Sequence, residues 1–309
     1  MKQIWVEAYR PKNLEEYVFK DKSQQQQIEA WLEEGSIPHL LMSGQPGTGK
    51  TSLAKLLCYQ LGVDYADFLE INASQENNVE TVREKIVNFC STWSFGGFKV
   101  VLLDEADAMS PPAQAILRGV MEKYADMCRF ILTCNYPNKI LPAIHSRCQG
   151  FHFDALNKDE FTVRVAEILA EEGVDFDVET LDNFVRISHP DLRKCINLVQ
   201  QHSSGGKLRP AQEQGSGTAD YMLQMVELFR NGKILEARKL VTGQARPEEY
   251  PDIYRFLYNN LDLWGEDESV QNQAILVIAK RLKDHALVAD PEINLAACLI
   301  DLEEVRTSG

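Results

Sequence analysis

The sequence predicts an α/β domain built on a parallel sheet, followed by segments that are helical only. Three observations point there. The turn Gly44-Gln45-Pro46-Gly47-Thr48-Gly49-Lys50-Thr51 lies between the apolar run Leu40-Leu41-Met42 and a helix-favouring run from Leu53 to Leu61. Short apolar runs alternate with helical stretches up to residue 155, as strands joined by crossover helices do. From Asn157 onward the apolar residues recur at helical spacing alone.

In chain order, strands are expected at 39–43, 67–72, 99–104, 129–134 and 150–153. Val100-Val101-Leu102-Leu103 is continuously apolar, which suits a strand covered on both faces. Asn157 with Glu160 reads as a capping box, followed by Phe161, Val165, Ile168 and Leu169 on one helical stripe. Two further helices fit 178–188 and 190–202, and Pro190 is acceptable in a first turn. A polar stretch from Ser203-Ser204-Gly205-Gly206 through Gly215-Ser216-Gly217 reads as a linker. Beyond it, Met222, Met225, Val226 and Phe229 form a stripe expected in a core or a subunit interface. Asp290-Pro291 marks the cap and first turn of a last helix. The expected division is 1–155 for the α/β domain, 156–203 for a small helical domain, 204–218 for the linker and 219–309 for a helical end domain.

At 309 residues, with 44% hydrophobic and 25% charged side chains, the chain has the composition of an ordinary soluble protein. No apolar run reaches the length of a membrane span, and the first residues lack a signal-peptide core. Seven cysteines without a Cys-x-x-Cys pair suggest neither a zinc site nor a disulfide framework, so a reducing cytoplasm is expected. The net charge of −14 divides into −4 for residues 1–155 and −10 for 156–309. Any nucleic-acid contact must therefore use a small basic surface, or one assembled from several copies.

The first turn is a complete phosphate-binding loop. Closely spaced glycines let backbone N–H groups face inward and cradle phosphate charge at a helix N-terminus. The candidate contacts are Gly44, Pro46, Gly47, Thr48, Gly49, Lys50, Thr51 and Ser52. Lys50 would reach the β and γ phosphates of a nucleoside triphosphate, and Thr51 would ligate Mg²⁺. A plain Gly/Pro turn is the bland alternative, and the full pattern with both flanks argues against it. Downstream, the strand at 99–104 ends in Asp104-Glu105-Ala106-Asp107. Asp104 would hold Mg²⁺ through its water shell, and Glu105 would polarise the attacking water. Acidic residues after a strand often only cap the next helix; pairing with the loop favours the functional reading.

Further motifs follow in order: Trp5-Val6-Glu7-Ala8-Tyr9-Arg10-Pro11, then Thr133-Cys134-Asn135, Ser146-Arg147-Cys148 and Pro190-Asp191-Leu192-Arg193. Together they resemble the AAA+ ATPase subunits of sliding-clamp loaders, the small subunits of replication factor C and their phage counterparts. The specific motifs cover residues 1 to about 200. Asp290 to Ile300 is similar to the last collar helix of the phage large subunit, and the short N-terminus and overall length favour that type.

The resemblance implies an AAA+ domain, a helical lid and a helical collar. It implies an adenine pocket formed by Val6, Glu7, Ala8, Tyr9, Arg10 and Pro11 with Val18. Asn135 would be sensor 1, and Arg193 would be sensor 2. Arg147 would be the arginine finger that reaches the neighbouring subunit's nucleotide. Asn78 would be the switch partner of Glu105, although Asn77-Asn78 also fits a helix-start turn. Arg83 and Arg118 would touch DNA phosphates, with surface ion pairs as the alternative. The family's second arginine is replaced by Gly119. Trp93 and Phe95 would touch the clamp or fold back as core. The implied partners are a sliding clamp, primer–template DNA without sequence specificity, other copies of the chain, and a distinct partner subunit in a pentameric-type loader. The setting would be the cytoplasm, the host's if phage-encoded, with no membrane.

Asp-Glu-Ala-Asp also heads a helicase superfamily, which would need a second set of buried strands after residue 155. A branch-migration AAA+ motor is nearer, and Ser146-Arg147-Cys148 with the collar-like end favours a loader. A subunit that binds ATP without turnover is disfavoured by the intact Lys50, Asp104, Glu105 and Asn135.

Overall fold

Alternate side chains of a strand point to opposite faces, so a continuously apolar strand demands cover on both sides. The computed structural model shows this arrangement. It describes residues 4–75, 79–94, 96–153, 155–210 and 218–308, without the side chains of 79–83, 218–220 and 308. The strands β1 (Leu40–Gly44), β2 (Phe68–Asn72), β3 (Lys99–Asp104), β4 (Cys128–Cys134) and β5 (Gln149–Phe153) form one sheet, ordered β2-β3-β4-β1-β5. Every neighbouring pair is parallel.

The first helices are α1 (Trp5–Ala8), α2 (Lys22–Glu33), α3 (Lys50–Gln60), α4 (Val79–Ser91), α5 (Pro111–Lys123) and α6 (Pro142–His145). Leu41, Val101, Leu103, Phe130 and Leu132 face one side of the sheet and pack with Ile86 and Cys90 of α4 and Leu117 and Met121 of α5. Leu40, Met42, Val100, Leu102 and Ile131 face the other, against Ile28 and Trp31 of α2 and Leu53 and Leu57 of α3. Each such fully buried side chain contributes roughly 1.5–3 kcal/mol. The sheet is therefore a packed platform, and the loops that leave β1, β3 and β4 all lie at the strands' carboxyl edge. β1 sits between β4 and β5, so the chain leaves it toward the far edge strand, and a crevice opens at that switch point.

Next come α7 (Lys158–Glu171), α8 (Val178–Ser188) and α9 (Leu192–His202). Asn157 caps α7, its Oδ1 accepting from the N–H groups of Asp159 and Glu160 at 3.0 Å each. The α9 start differs from expectation. Asp191, not Pro190, begins it: Asp191 Oδ1 accepts from Lys194 N at 2.9 Å, and Pro190 precedes the cap.

Residues 203–208, where the linker was expected to begin, form a hairpin of β6 (Ser203–Ser204) and β7 (Lys207–Leu208). Gly205 and Gly206 both adopt positive φ, 65° and 75°, as a two-residue hairpin turn needs. Among the described residues five α-helices follow: α10 (Thr218–Arg230), α11 (Ile234–Gln244), α12 (Tyr250–Asn259), α13 (Glu268–His285) and α14 (Pro291–Ser308).

The chain divides into two compact units, Met1–Val165 with His189–Ile196, and Ala166–Ser188 with Asn197–Gly309. In the second, Met222, Met225, Val226 and Phe229 are buried, and Phe229 packs edge-on against the fully buried Trp264. That stripe is core. Asn294 is buried there too, its amide donating to the Tyr254 hydroxyl and to Arg281 O. Among the described residues no helix is long and apolar enough to cross a membrane.

Candidate functional site

The loop after β1 follows from its glycines. Gly47 has φ 72°, and a Cβ there would lie 1.8 Å from Asp191 Oδ1. Gly49, with φ 87°, opens α3. Only glycine meets both demands, left-handed backbone and close approach. Lys50 is buried at the first position of α3, and its Nζ donates to Gly44 O at 2.9 Å, Gln45 O at 2.7 Å and Asn135 Oδ1 at 3.0 Å. The phosphate-loop lysine and the end of β4 are thus joined directly. Burial lowers the Lys50 pKa; Cys134, Asp104 and Asp107 act against that lowering, and Arg193 adds to it. An arriving anion would favour its charged form.

The acidic side is equally defined. Thr51 Oγ1 and Thr133 Oγ1 each donate to Asp104 Oδ1 at 2.6 Å. Thr133 Oγ1 also accepts from Glu105 N at 3.0 Å. Glu105 has φ 55°, and among the described residues no other non-glycine has positive φ. Such a conformation costs about 1–3 kcal/mol and persists where surroundings enforce it. Asp107 Oδ2 accepts from Asn135 N at 3.2 Å and Tyr136 N at 3.0 Å, fixing the turn after β4. Lys50, Thr51, Asp104, Glu105, Asn135 and Arg193 all line one cavity of about 260 Å³, as do Pro46, Gly47, Gly49 and Ser52. The Thr51 hydroxyl and the Asp104 carboxylate at hydrogen-bond distance offer hard oxygen donors that fit Mg²⁺, which takes its remaining ligands from water and phosphate.

A second cavity continues past the loop. Val6, Tyr9, Arg10, Pro11 and Val18 line it, with Gly47, Thr48, Gly49 and Ser52 on the loop side and Arg193 shared. Glu7 and Ala8 do not line it; Glu7 instead pairs with Arg10 at 2.9 Å. Sequence reading missed Tyr17, Leu192 and Ile196 in this wall. Tyr17 is buried, its hydroxyl donating to Thr48 O at 3.3 Å, and burial raises its pKa far above the usual phenol range. Its only local signal was membership of an apolar run.

The remaining candidates lie elsewhere. Arg147 lines neither cavity. Its guanidinium pairs with Glu122 of α5 and donates to Ala143 O at 2.6 Å. Arg118 is half exposed, its Nε 4.0 Å from Glu122 Oε1. Trp93 is 89% exposed, so it is not core. The loop carrying it is tied by Asp67 Oδ2, which accepts from Ser94 Oγ at 2.9 Å and Gly96 N at 3.0 Å. Asn78, Phe95 and the side chain of Arg83 lie outside the described residues.

Lys50→Ala is expected to abolish nucleotide-dependent thermal stabilisation. A ligand at about a hundred times its Kd stabilises by about 2.7 kcal/mol. The wild-type chain should show that shift with ATP and the variant none; an unchanged shift would remove Lys50 from the site.

The profile of the ATPase family associated with various cellular activities (AAA) matches residues 40–154. The replication factor C small subunit of Archaeoglobus fulgidus is 41% identical over 247 residues, 77% of this chain and 77% of that protein. The Methanococcus vannielii subunit is 39% identical over 77% of this chain and 78% of its own length. That of Methanocella arvoryzae is 34% identical over 87% and 86%. None of these three is a phage protein. A solved structure of Thermotoga maritima RuvB aligns with TM-score 0.56 at 16% identity, covering 81% of this chain and 90% of that one, a likeness of fold alone. With a phosphate loop, acidic strand end and arginine-bearing α9 on one cavity, the chain belongs to the replication factor C small-subunit family of AAA+ clamp-loader ATPases.

Proposed function

We propose that this ATPase opens a ring-shaped sliding clamp and places it on primer–template DNA, with hydrolysis releasing both. One observation carries the reading. Lys50, Asp104, Glu105, Asn135 and Arg193 surround a single cavity, while Arg147 is held apart on Glu122. Such a site would bind its triphosphate within one chain, with Lys50 and Arg193 as its own cations, but it leaves out the further cation, an arginine finger, that stabilises charge developing on the transferred phosphoryl group. A neighbouring copy would supply it, so turnover would depend on subunits being aligned.

Each residue's part follows from its position. Lys50 would exchange its carbonyl partners for phosphate oxygens. Val6, Tyr9 and Val18 would enclose the base. Glu105 would orient and deprotonate the attacking water, with Asn135 positioning that water and Arg193 contacting the γ-phosphate. Thr51 and Asp104 would hold Mg²⁺, whose contribution is neutralisation of phosphate charge. Asn78 would restrain Glu105 until DNA binds, Arg83 and Arg118 would read backbone phosphates, and Trp93 with Phe95 would meet the clamp. Residues 156–203 would serve as lid and 219–309 as the collar joining copies to a distinct partner subunit.

ATP turnover of the assembled loader, with and without clamp and primed DNA, tests the proposal. Stimulation by both together is expected. Strand separation on a duplex would move the reading to a motor, and absence of turnover would make the chain a scaffold.

A further inference from the structure

The geometry points to Glu122 as the positioning residue for Arg147, one that joins it to the surface read as facing DNA. This inference rests on the reading of Arg147 as the cation supplied in trans. Glu122 and Arg118 are one turn apart on α5 and share its exposed face. Glu122 Oε1 accepts from Arg147 Nη2 and lies 4.0 Å from Arg118 Nε. Arg147 Nη1 meanwhile donates to Ala143 O at 2.6 Å and Ser146 Oγ at 3.3 Å. The guanidinium is thus fixed from two sides, by the end of α6 just before it and by α5.

One carboxylate oxygen serves two cations. Side-chain exposure is 32% for Arg147, 49% for Glu122 and 50% for Arg118, so the cluster is reachable by solvent and by a phosphate. A backbone phosphate that engages Arg118 withdraws it from Glu122, which then pairs with Arg147 alone. A charge-assisted pair of this kind gains strength when its acceptor is undivided. Phosphate on α5 would thereby firm the orientation of Arg147 toward the next subunit. Orientation matters because small misplacement of a catalytic group costs rate steeply.

The test uses the assembled loader with clamp and primed DNA. Glu122→Gln is expected to lower kcat about two- to fivefold with the KM for ATP unchanged, an effect of the size an exposed charged pair supports. On an Arg147→Ala background the same change should cost nothing further, because Glu122 acts through that arginine. On an Arg118→Ala background at saturating DNA the loss should match that in the wild type, because a bound phosphate already leaves Glu122 to Arg147 alone. Glu122→Asp, keeping the charge, should recover part of the rate; equal unfolding temperatures across the variants separate positioning from folding. Wild-type kcat in Glu122→Gln, a loss carried mainly in KM, or a rise in turnover without DNA would each overturn the proposal. If Arg147→Ala is costly while Glu122→Gln is not, only this proposal falls. If Arg147→Ala is itself harmless, the trans reading falls and takes this one with it.

Discussion

Arg147→Ala is expected to leave ATP binding intact and lower clamp- and DNA-stimulated hydrolysis on the order of a thousandfold. That is the scale of losing a cation aimed at a phosphoryl transition state. Retained binding is expected because Arg147 lines neither nucleotide cavity and its contacts are to Glu122, Ala143 and Ser146. Mixing decides where the cation acts. A Lys50→Ala subunit cannot hold nucleotide but keeps Arg147. Assembled with Arg147→Ala subunits, it should restore turnover at sites where it faces a loaded neighbour. No recovery at any ratio would show that Arg147 acts within its own chain. Comparing nucleotide-induced thermal shifts of Arg147→Ala and wild type checks the binding half.

Glu105→Gln is expected to bind ATP and clamp and to slow turnover by about a hundredfold or more, the usual worth of a general base. The amide keeps size and hydrogen-bonding reach while removing basicity. The backbone should not respond, because the left-handed turn at Glu105 is held by its own N–H donating to Thr133 Oγ1. Single-turnover measurement with saturating ATP isolates the chemical step. Wild-type rates there would take the role of base away from Glu105. A fall confined to ATP affinity would assign it to binding instead.

The sheet was readable because its central strands are buried on both faces, and short uninterrupted runs such as Val100 to Leu103, ending in a turn, suit such strands. The loop and the acidic strand end were readable for a local reason: each functional group sits beside the glycine or strand that presents it. Thr133 shows where that locality ends. It stood inside a quoted motif, yet its hydroxyl serves Asp104 and the N–H of Glu105, an assignment set by the pairing of β4 with β3. The base-side wall is still less local, since Tyr17 and Ile196 meet there from distant parts of the chain. Glu7 and Ala8 went the other way: one turn of α1 presents Val6 and Tyr9 to the cavity but not the two residues between them. At 203–208, composition suggested an open connection. Two consecutive glycines with positive φ made a hairpin instead, and Leu208 is buried beside it. Pro190 satisfied a first-turn rule, but Asp191 offered α9 a better start.

The space beside Gly47 belongs to Asp191. A methyl group at position 47 would meet that carboxylate at 1.8 Å, and trimming the carboxylate would strip α9 of its first-turn acceptor. The two positions behave as a single mould and cast, so a side chain at 47 and the carboxylate at 191 cannot occupy that space together. An engineer who wishes to enlarge the loop must redraw the start of α9 in the same step.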